Sequence, residues 1–369
     1  MEKYKLRYLQ RFLRRKMGIN DVESCINAMN KLKNCALACY DDIELEGQIL
    51  DGNIVVKFSE MLLLDGCFVI EYIREHCKVI PFGEERIIKR ECIRKQLKRD
   101  LLLVENQLPF FVLTTLHDMS KEDEKIPFIN MVKHSFSLSN KSFVETEGND
   151  EKIKHLFQLV HMCMSCRPSK VKTRQIRNRS LSGVSFTHIG NIFMRSLDRE
   201  NDNDLGGNAS LFDINFENGL MTIPCFRVVD DIETLMRNLI AYEQQSSDVH
   251  LRYFSDFAVF MDYLIDSDKN VSLLRMNGII VNKIGDDKEV ANFFNKIGKG
   301  IVVSADYYYE EECRKAVQYC EKPLNRIKAN FRHNYFNTPW AGISTLAAII
   351  LLLLTVTQTV LSFLSTLKK

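Results

Sequence analysis

Proline and glycine are scarce in this chain, 7 and 16 residues in 369. That scarcity argues against an all-β sandwich, whose many tight turns consume both, and for a mainly helical protein. Charge of one sign is not in excess either. A net charge of +2 is too small to imply a nucleic-acid partner. The opening stretch MEKYKLRYLQRFLRRK is basic and amphipathic but has no apolar run of signal-peptide length, which speaks against secretion. No P-loop, dinucleotide-binding glycine motif, nucleophile elbow or zincin helix occurs, so any catalysis would rest on dispersed groups. What remains is ordinary for a chain with a real core: 46% hydrophobic and 27% charged residues, in a length that allows one large domain or two to three smaller ones.

The most distinctive stretch is AGISTLAAIILLLLTVTQTVLSFL (341–364), which contains no charged side chain. At 1.5 Å per residue it makes a helix of about 36 Å, enough to cross a hydrocarbon core of about 30 Å with some tilt. Trp340 on one side and Lys368 and Lys369 on the other suit interface anchors. Thr355, Gln358, Thr359 and Ser362 share one helical face. They could join this helix to a partner helix and form an oligomer; hydroxyls bonding back to their own helix carbonyls are the favoured reading. Before the span lie Lys322, Arg326, Lys328 and Arg332, a positive bias that agrees with a cytosolic body. There the eleven cysteines are expected to be small, reduced core residues.

Along the chain, helices are expected over 2–17, 21–39, 58–77, 85–104, 124–138 and 151–165. The run FSEMLLLDGCFVIEYIREHC (58–77) is apolar almost all round and should be the central helix. Pro109 either kinks a continuous helix or opens a new one over 105–119. RPSKVKTRQIRNR (167–179) has six basic residues and no acid, and with the polar stretch to 210 it reads as a linker. Next comes the sharpest local signal: Phe212, Ile214 and Phe216 alternate, Asn218-Gly219 turns, and Met221, Ile223 and Cys225 alternate again, a β-hairpin with a type I′ turn. A third strand is expected at 184–188, and Pro224 should lie on an edge. Asp230 with Glu233 reads as a capping box opening a helix whose buried stripe is Ile232, Leu235, Met236, Leu239 and Ile240. Further helices are expected at 252–266, 268–276, 286–297 and 306–333.

Three groups of residues could carry chemistry. Glu60, Asp65, Glu71, Glu105 and Glu243 stand in apolar runs. A buried pair of them could do acid–base work, although pairing with arginine or capping of a helix end is the commoner role of such groups. His161, Cys163 and Cys166, with His155 nearby, are the metal candidate. The two-residue gap lets two thiolates reach one zinc, but no second ligand pair follows, so a packed helix with buried thiols is the favoured reading. Arg167, Lys170, Lys172, Arg174, Arg177 and Arg179 could meet anionic lipid; without aromatic residues among them RNA has no stacking platform. No catalytic residue, metal or cofactor is assigned.

Several stretches together resemble one family, the plant proteins grouped as domain of unknown function 247. They are MEKYKLRYLQRFL (1–13), FSEMLLLDGCFVIEYI (58–73), DLLLVENQLPFFVL (100–113), LFDINFENGLMTIPCFRVVDDIETLMRNLIAYEQ (211–244), 262–297 and 331–360. Members usually carry a segment before the opening helix, where this chain begins, and an Ala-Gly-Val stretch where it has RSLSGVSFT (179–187). The resemblance implies a plant membrane protein with no established enzymatic activity and no catalytic residues to transfer. Some grass members are implicated as pollen-side determinants of self-incompatibility, a role that attaches to those members.

The expectation is therefore a mainly α protein. Residues 1–330 form a helical body with a small antiparallel hairpin or three-stranded element: a helical part (1–165), the linker 167–210, and a hairpin with helices (211–330). A single C-terminal transmembrane helix (341–364) and a short tail (365–369) follow. The expected role is non-enzymatic recognition or scaffolding, by a cytosolic body on a membrane, with the plasma membrane favoured and a protein as partner. The alternative is a membrane-tethered enzyme using the buried carboxylates.

Overall fold

A computed structural model describes residues 1–15, 21–40, 52–80, 84–120, 126–138, 153–165, 193–197, 210–304, 306–323 and 339–367. Seven helices come first: α1 (Glu2–Arg14), α2 (Asp21–Leu37), α3 (Gly52–His76), α4 (Glu91–Asp100), α5 (Phe110–Ser120), α6 (Phe128–Ser135) and α7 (Leu156–Ser165). The strands β1 (Phe193–Leu197), β2 (Asn215–Glu217), β3 (Leu220–Pro224) and β4 (Phe226–Val228) lead into α8 (Ile232–Gln245), α9 (Tyr253–Leu264) and α10 (Asp268–Met276). The chain continues through β5 (Ile280–Asn282), α11 (Asp287–Ile297), α12 (Glu310–Glu321) and α13 (Pro339–Leu367). The mainly helical reading holds.

Two apolar cores result. The first surrounds α3, whose Leu62, Cys67, Ile70 and Ile73 are wholly buried against α1, α2, α5 and α6. Its central place follows from composition: a helix apolar nearly all round must be covered on every side. Gly66 brings α5 close, since a Cβ there would lie 2.4 Å from Leu116 Cδ1. The second core collects aromatic residues of the C-terminal half, with Phe212, Phe254, Phe257, Phe260 and Phe294 fully buried. Helix α7 serves both: Phe157 belongs to the second core, while Leu156, Leu159 and Val160 belong to the first.

The Asn-Gly hairpin is present, β2 pairing antiparallel with β3. Asn218 (φ 51°) and Gly219 (φ 84°) both take the left-handed backbone that a type I′ turn demands. The third strand differs from expectation. It is β1, paired parallel to β3 from Phe193↔Leu220 to Leu197↔Pro224, so the stretch read as linker contributes a strand; 184–188 lies outside the described residues. Strand order is β1-β3-β2, which puts Pro224 on the central strand and not on an edge. As the last residue of β3, its missing N–H falls where the ladder ends. A second, two-stranded parallel sheet, β4 with β5, was not anticipated.

Other boundaries shift for local reasons. Pro109 precedes the first residue of α5, so it opens a new helix. The expected 306–333 helix begins at Glu310 and α12 ends at Glu321, before Lys322-Pro323. Helix α8 starts at Ile232 with Asp231 at its N-cap and no side-chain cap bond. The expected capping box of Asp230 and Glu233 fails because the N-cap is Asp231, one residue later, which puts Glu233 at the second helical position, where its carboxylate pairs with Arg237. Of the ten described cysteines, only Cys25, Cys67 and Cys313 are buried, and Cys35, Cys39 and Cys92 are exposed. The core reading of the thiols therefore holds for three.

Candidate functional site

Glu71 and Glu75 stand one turn apart on α3 and so share a face. Arg11 and Arg15, with the same spacing, meet them from the α1 side. Glu71 Oε1 accepts from Arg15 Nε (2.7 Å) and Arg74 Nη1 (2.9 Å), and its Oε2 from Arg15 Nη2 (3.1 Å). Glu75 Oε2 accepts from Arg11 Nη1 (3.0 Å), Tyr8 Oη (3.1 Å) and the Ile87 backbone N–H (3.1 Å), while Oε1 accepts from Arg94 Nη1 (3.0 Å). Arg11 also donates to Glu84 and to the Glu85 carbonyl. Both carboxylates and Arg74 are wholly buried. Burying a charge costs several kcal/mol unless partners replace water, and each carboxylate here faces two guanidiniums. Burial, with the negative charge of Glu75 beside it, pushes the Tyr8 phenol far above its usual range. With their lone pairs committed, these groups form a structural clasp across α1, α3 and α4.

Glu243, wholly buried at the end of α8, caps a neighbouring helix. It accepts from the backbone N–H groups of Phe254 (3.0 Å) and Ser255 (2.7 Å) in the first turn of α9, and from Ser255 Oγ (2.8 Å). Its carboxylate thus satisfies two of the donors that every helix start leaves open. His161 Nε2 lies 3.0 Å from Glu243 Oε1, joining α7 to the same junction. That contact occupies one of the two ring nitrogens of His161. Cys163 is half-buried, Cys166 lies outside the described residues, and no group of three His, Cys, Asp or Glu among the described residues could hold a metal ion. His155 Nδ1 accepts from the Gln158 backbone N–H, and burial, followed by the charge of Lys154, holds its imidazole down to about 4.

The remaining candidate carboxylates lie elsewhere. Glu60 is exposed on α3. Asp65 pairs with Lys5 at 2.5 Å. Glu105 is exposed in the connection between α4 and α5. Asp65 and Glu105 line one cleft of about 370 Å³, with Lys5 and Gln107 at its polar parts and Phe58, Met61 and Leu108 among its apolar walls. Tyr40 Oη donates to the Gln107 carbonyl at 3.0 Å, and burial, with Cys39 and Asp65 nearby, pushes this phenol up to about 12. The structure therefore brings together two of the five carboxylates named from sequence, and puts Glu71 and Glu243 into separate structural networks. Sequence reasoning missed Glu75, Arg11, Arg15, Arg74 and Arg94. The matching spacing of two acids on α3 and two arginines on α1 was the signal that could have found them.

At the C-terminus, 22 residues of α13 (Ile343–Leu364) have a mean hydropathy of 2.2 and are not buried against the rest of the protein. Thr355, Thr357 and Thr359 hydroxyls donate back to the carbonyls of Leu351, Leu353 and Thr355 at 2.6–2.7 Å. Of the polar face, Thr355 and Thr359 are thus satisfied within their own helix. Trp340 lies in the first turn of α13; Lys368, Lys369 and the basic run 167–179 lie outside the described residues.

No solved structure matches this chain. Among curated proteins, the UPF0481 protein At3g47200 of Arabidopsis thaliana is similar, 27% identical over 332 residues, covering 83% of this chain and 68% of that protein. The putative UPF0481 protein At3g02645, also of Arabidopsis thaliana, is 26% identical over 148 residues, 40% of this chain and 28% of that protein. The profile of domain of unknown function 247, described as a plant protein of unknown function, matches residues 1–354. With that match running from α1 into α13, the chain belongs to the domain of unknown function 247 family of plant proteins.

Proposed function

We propose that this is a single-pass membrane protein, anchored through α13, whose body acts in the cytosol as a recognition or scaffold protein. The observation that carries the reading is the exposed apolar surface of α13, from Ile343 to Leu364. Such a surface on a helix of spanning length is costly in water and favourable in lipid. The non-enzymatic part is supported by the commitment of Glu71 and Glu243 to buried networks. The partner surface is placed on 167–210, because polar segments held by a rigid scaffold commonly carry binding. The plasma membrane is the favoured host.

The test is protease protection on sealed membranes with a tag at each end, with alkaline extraction carried out on a separate portion. We expect the protein to resist extraction, the N-terminal tag to be digested and the C-terminal tag to survive. Release by alkali removes the anchor, and the reverse protection pattern removes the cytosolic body. A deletion of 167–190, which spares β1, is expected to lose protein partners in a pull-down.

One observation favours the second reading, a tethered enzyme: Asp65 and Glu105 line the same cleft. On that reading the Asp65→Asn and Glu105→Gln variants would each abolish an activity found for the wild-type chain while leaving its thermal midpoint in place.

A further inference from the structure

The cleft of about 370 Å³ shared by Asp65 and Glu105 has the size of a small-molecule site. One face of α3 supplies much of its wall, since Phe58, Met61 and Asp65 recur at helical spacing. Helix α1 contributes Lys5, and the connection between α4 and α5 contributes Glu105 and Leu108. That connection is held in shape by the Gln107 side chain. Its Nε2 donates to the carbonyls of Leu101 (3.0 Å) and Leu103 (2.7 Å), and its Oε1 accepts from the Phe157 backbone N–H (2.9 Å). The wall that carries Glu105 is thus fixed before any ligand arrives.

Two carboxylates and one ammonium line this space. Lys5 Nζ sits 2.5 Å from Asp65 Oδ1, so a cation of the chain itself already occupies one carboxylate. Glu105 has no ion pair among the described residues, which leaves the cleft with negative charge in excess. The aromatic rings narrow what that charge can hold. Tyr40 and Phe58, half-buried, stand nearly perpendicular with ring centroids 6.3 Å apart, and both line the cleft with Phe68. Aromatic faces attract organic cations, whereas a hard metal ion requires a shell of oxygens. We propose that the cleft binds an organic ammonium ion, its charged head at Glu105 and its apolar body against Phe58, Met61 and Leu108. The Lys5 ammonium on Asp65 is an internal example of the same contact. The inference concerns binding alone: it shares its cleft with the tethered-enzyme reading but needs no reaction there, and it stands whether or not α13 crosses a membrane.

The experiment follows the thermal midpoint of the full chain in uncharged-detergent micelles against four probes. 2-Phenylethylamine carries an ammonium on an apolar body. 2-Phenylethanol and 3-phenylpropionate keep the body with a neutral or an anionic head, and methylamine keeps the head without the body. We expect saturable stabilisation by 2-phenylethylamine alone. Its apparent affinity should fall about tenfold or more in Glu105→Gln, a change at an exposed position, and should rise in Lys5→Gln, which releases Asp65. Glu85→Gln, with the same change in net charge at another exposed carboxylate, should keep the wild-type response. No saturable response to 2-phenylethylamine, an equal response to the alcohol, the carboxylate or methylamine, or equal losses in Glu105→Gln and Glu85→Gln overturns the proposal. Binding is read here without turnover, so a failed titration removes the ammonium ligand, while an activity assay decides the tethered enzyme separately.

Discussion

Replacing Glu75 by glutamine tests the reading of the buried charge as a clasp. The substitution keeps the shape and one carbonyl oxygen. It removes the negative charge that faces two buried guanidiniums and turns an NH₂ toward donors. Arg11 keeps Glu84 as a partner at 2.8 Å, but Arg94 keeps only Glu91, at 3.5 Å and largely exposed. Breaking a buried ion pair from one side costs about 3–5 kcal/mol, because the remaining charge is stranded. Against a total stability of about 5–15 kcal/mol, that is a large share. We expect urea unfolding of the full chain in micelles, followed by far-ultraviolet circular dichroism, to show this loss as a lowered midpoint with an unchanged slope. Glu85→Gln, which changes an exposed carboxylate paired with Lys89, should leave the midpoint in place. In a double-mutant cycle Glu75 and Arg94 should couple by at least about 1.5 kcal/mol. A loss below about 1 kcal/mol for Glu75→Gln would refute the reasoning.

Gly219→Ala should cost about 1–3 kcal/mol, since φ is +84° and the new Cβ would lie 2.4 Å from the Tyr319 ring; Asn218→Gly in the same turn should be near neutral, and urea midpoints compare the two. Glu243→Gln should destabilise by about 2–4 kcal/mol through loss of a charged acceptor for the first turn of α9, and hydrogen exchange at Phe254 and Ser255 should speed up first. His76 and His155 bind protons less readily when folded, at about 4 against an ordinary 6.5. Their contribution to stability is therefore complete above pH 6.5 and is lost as pH falls toward 4. His76→Gln should flatten the decline between pH 6.5 and 5, and an unchanged slope in thermal midpoints would contradict the burial of this ring among cations.

Legibility in the sequence followed the range of the interaction. The hairpin was readable because Asn218-Gly219 carries its own backbone requirement, and α3 was readable because 58–77 admits no solvent face. The stop of α12 before Lys322-Pro323 is also local, yet the periodic pattern beyond it concealed the end. β1 and β5 could not be read. Each is defined by pairing with a strand about 25 or more residues away (Phe193 with Leu220, Ile280 with Phe226), and a run of three to five residues carries too little periodicity to announce itself. The capping box at Asp230 failed for a related reason. Its spacing is right, but the helix starts one residue later, at an Asp231 N-cap whose carboxylate is paired with Arg99, 132 residues upstream.

The same distinction governs the candidate site. An acid in an apolar helix reads as potential chemistry because its partner is not in view, and Glu71 was singled out on that ground. Its partners are Arg74, three residues on, and Arg15, 56 residues back; once both are present the carboxylate has donors on each oxygen and no vacancy for a substrate. Glu75, equally buried and better connected, drew no attention because it follows Arg74 in what looks like an ordinary charged helix end. Buried charge in this protein thus marks where helices from distant parts of the chain are locked together. Asp65 and Glu105 stand outside those buried networks: Asp65 pairs with Lys5, Glu105 is exposed, and both line one cleft.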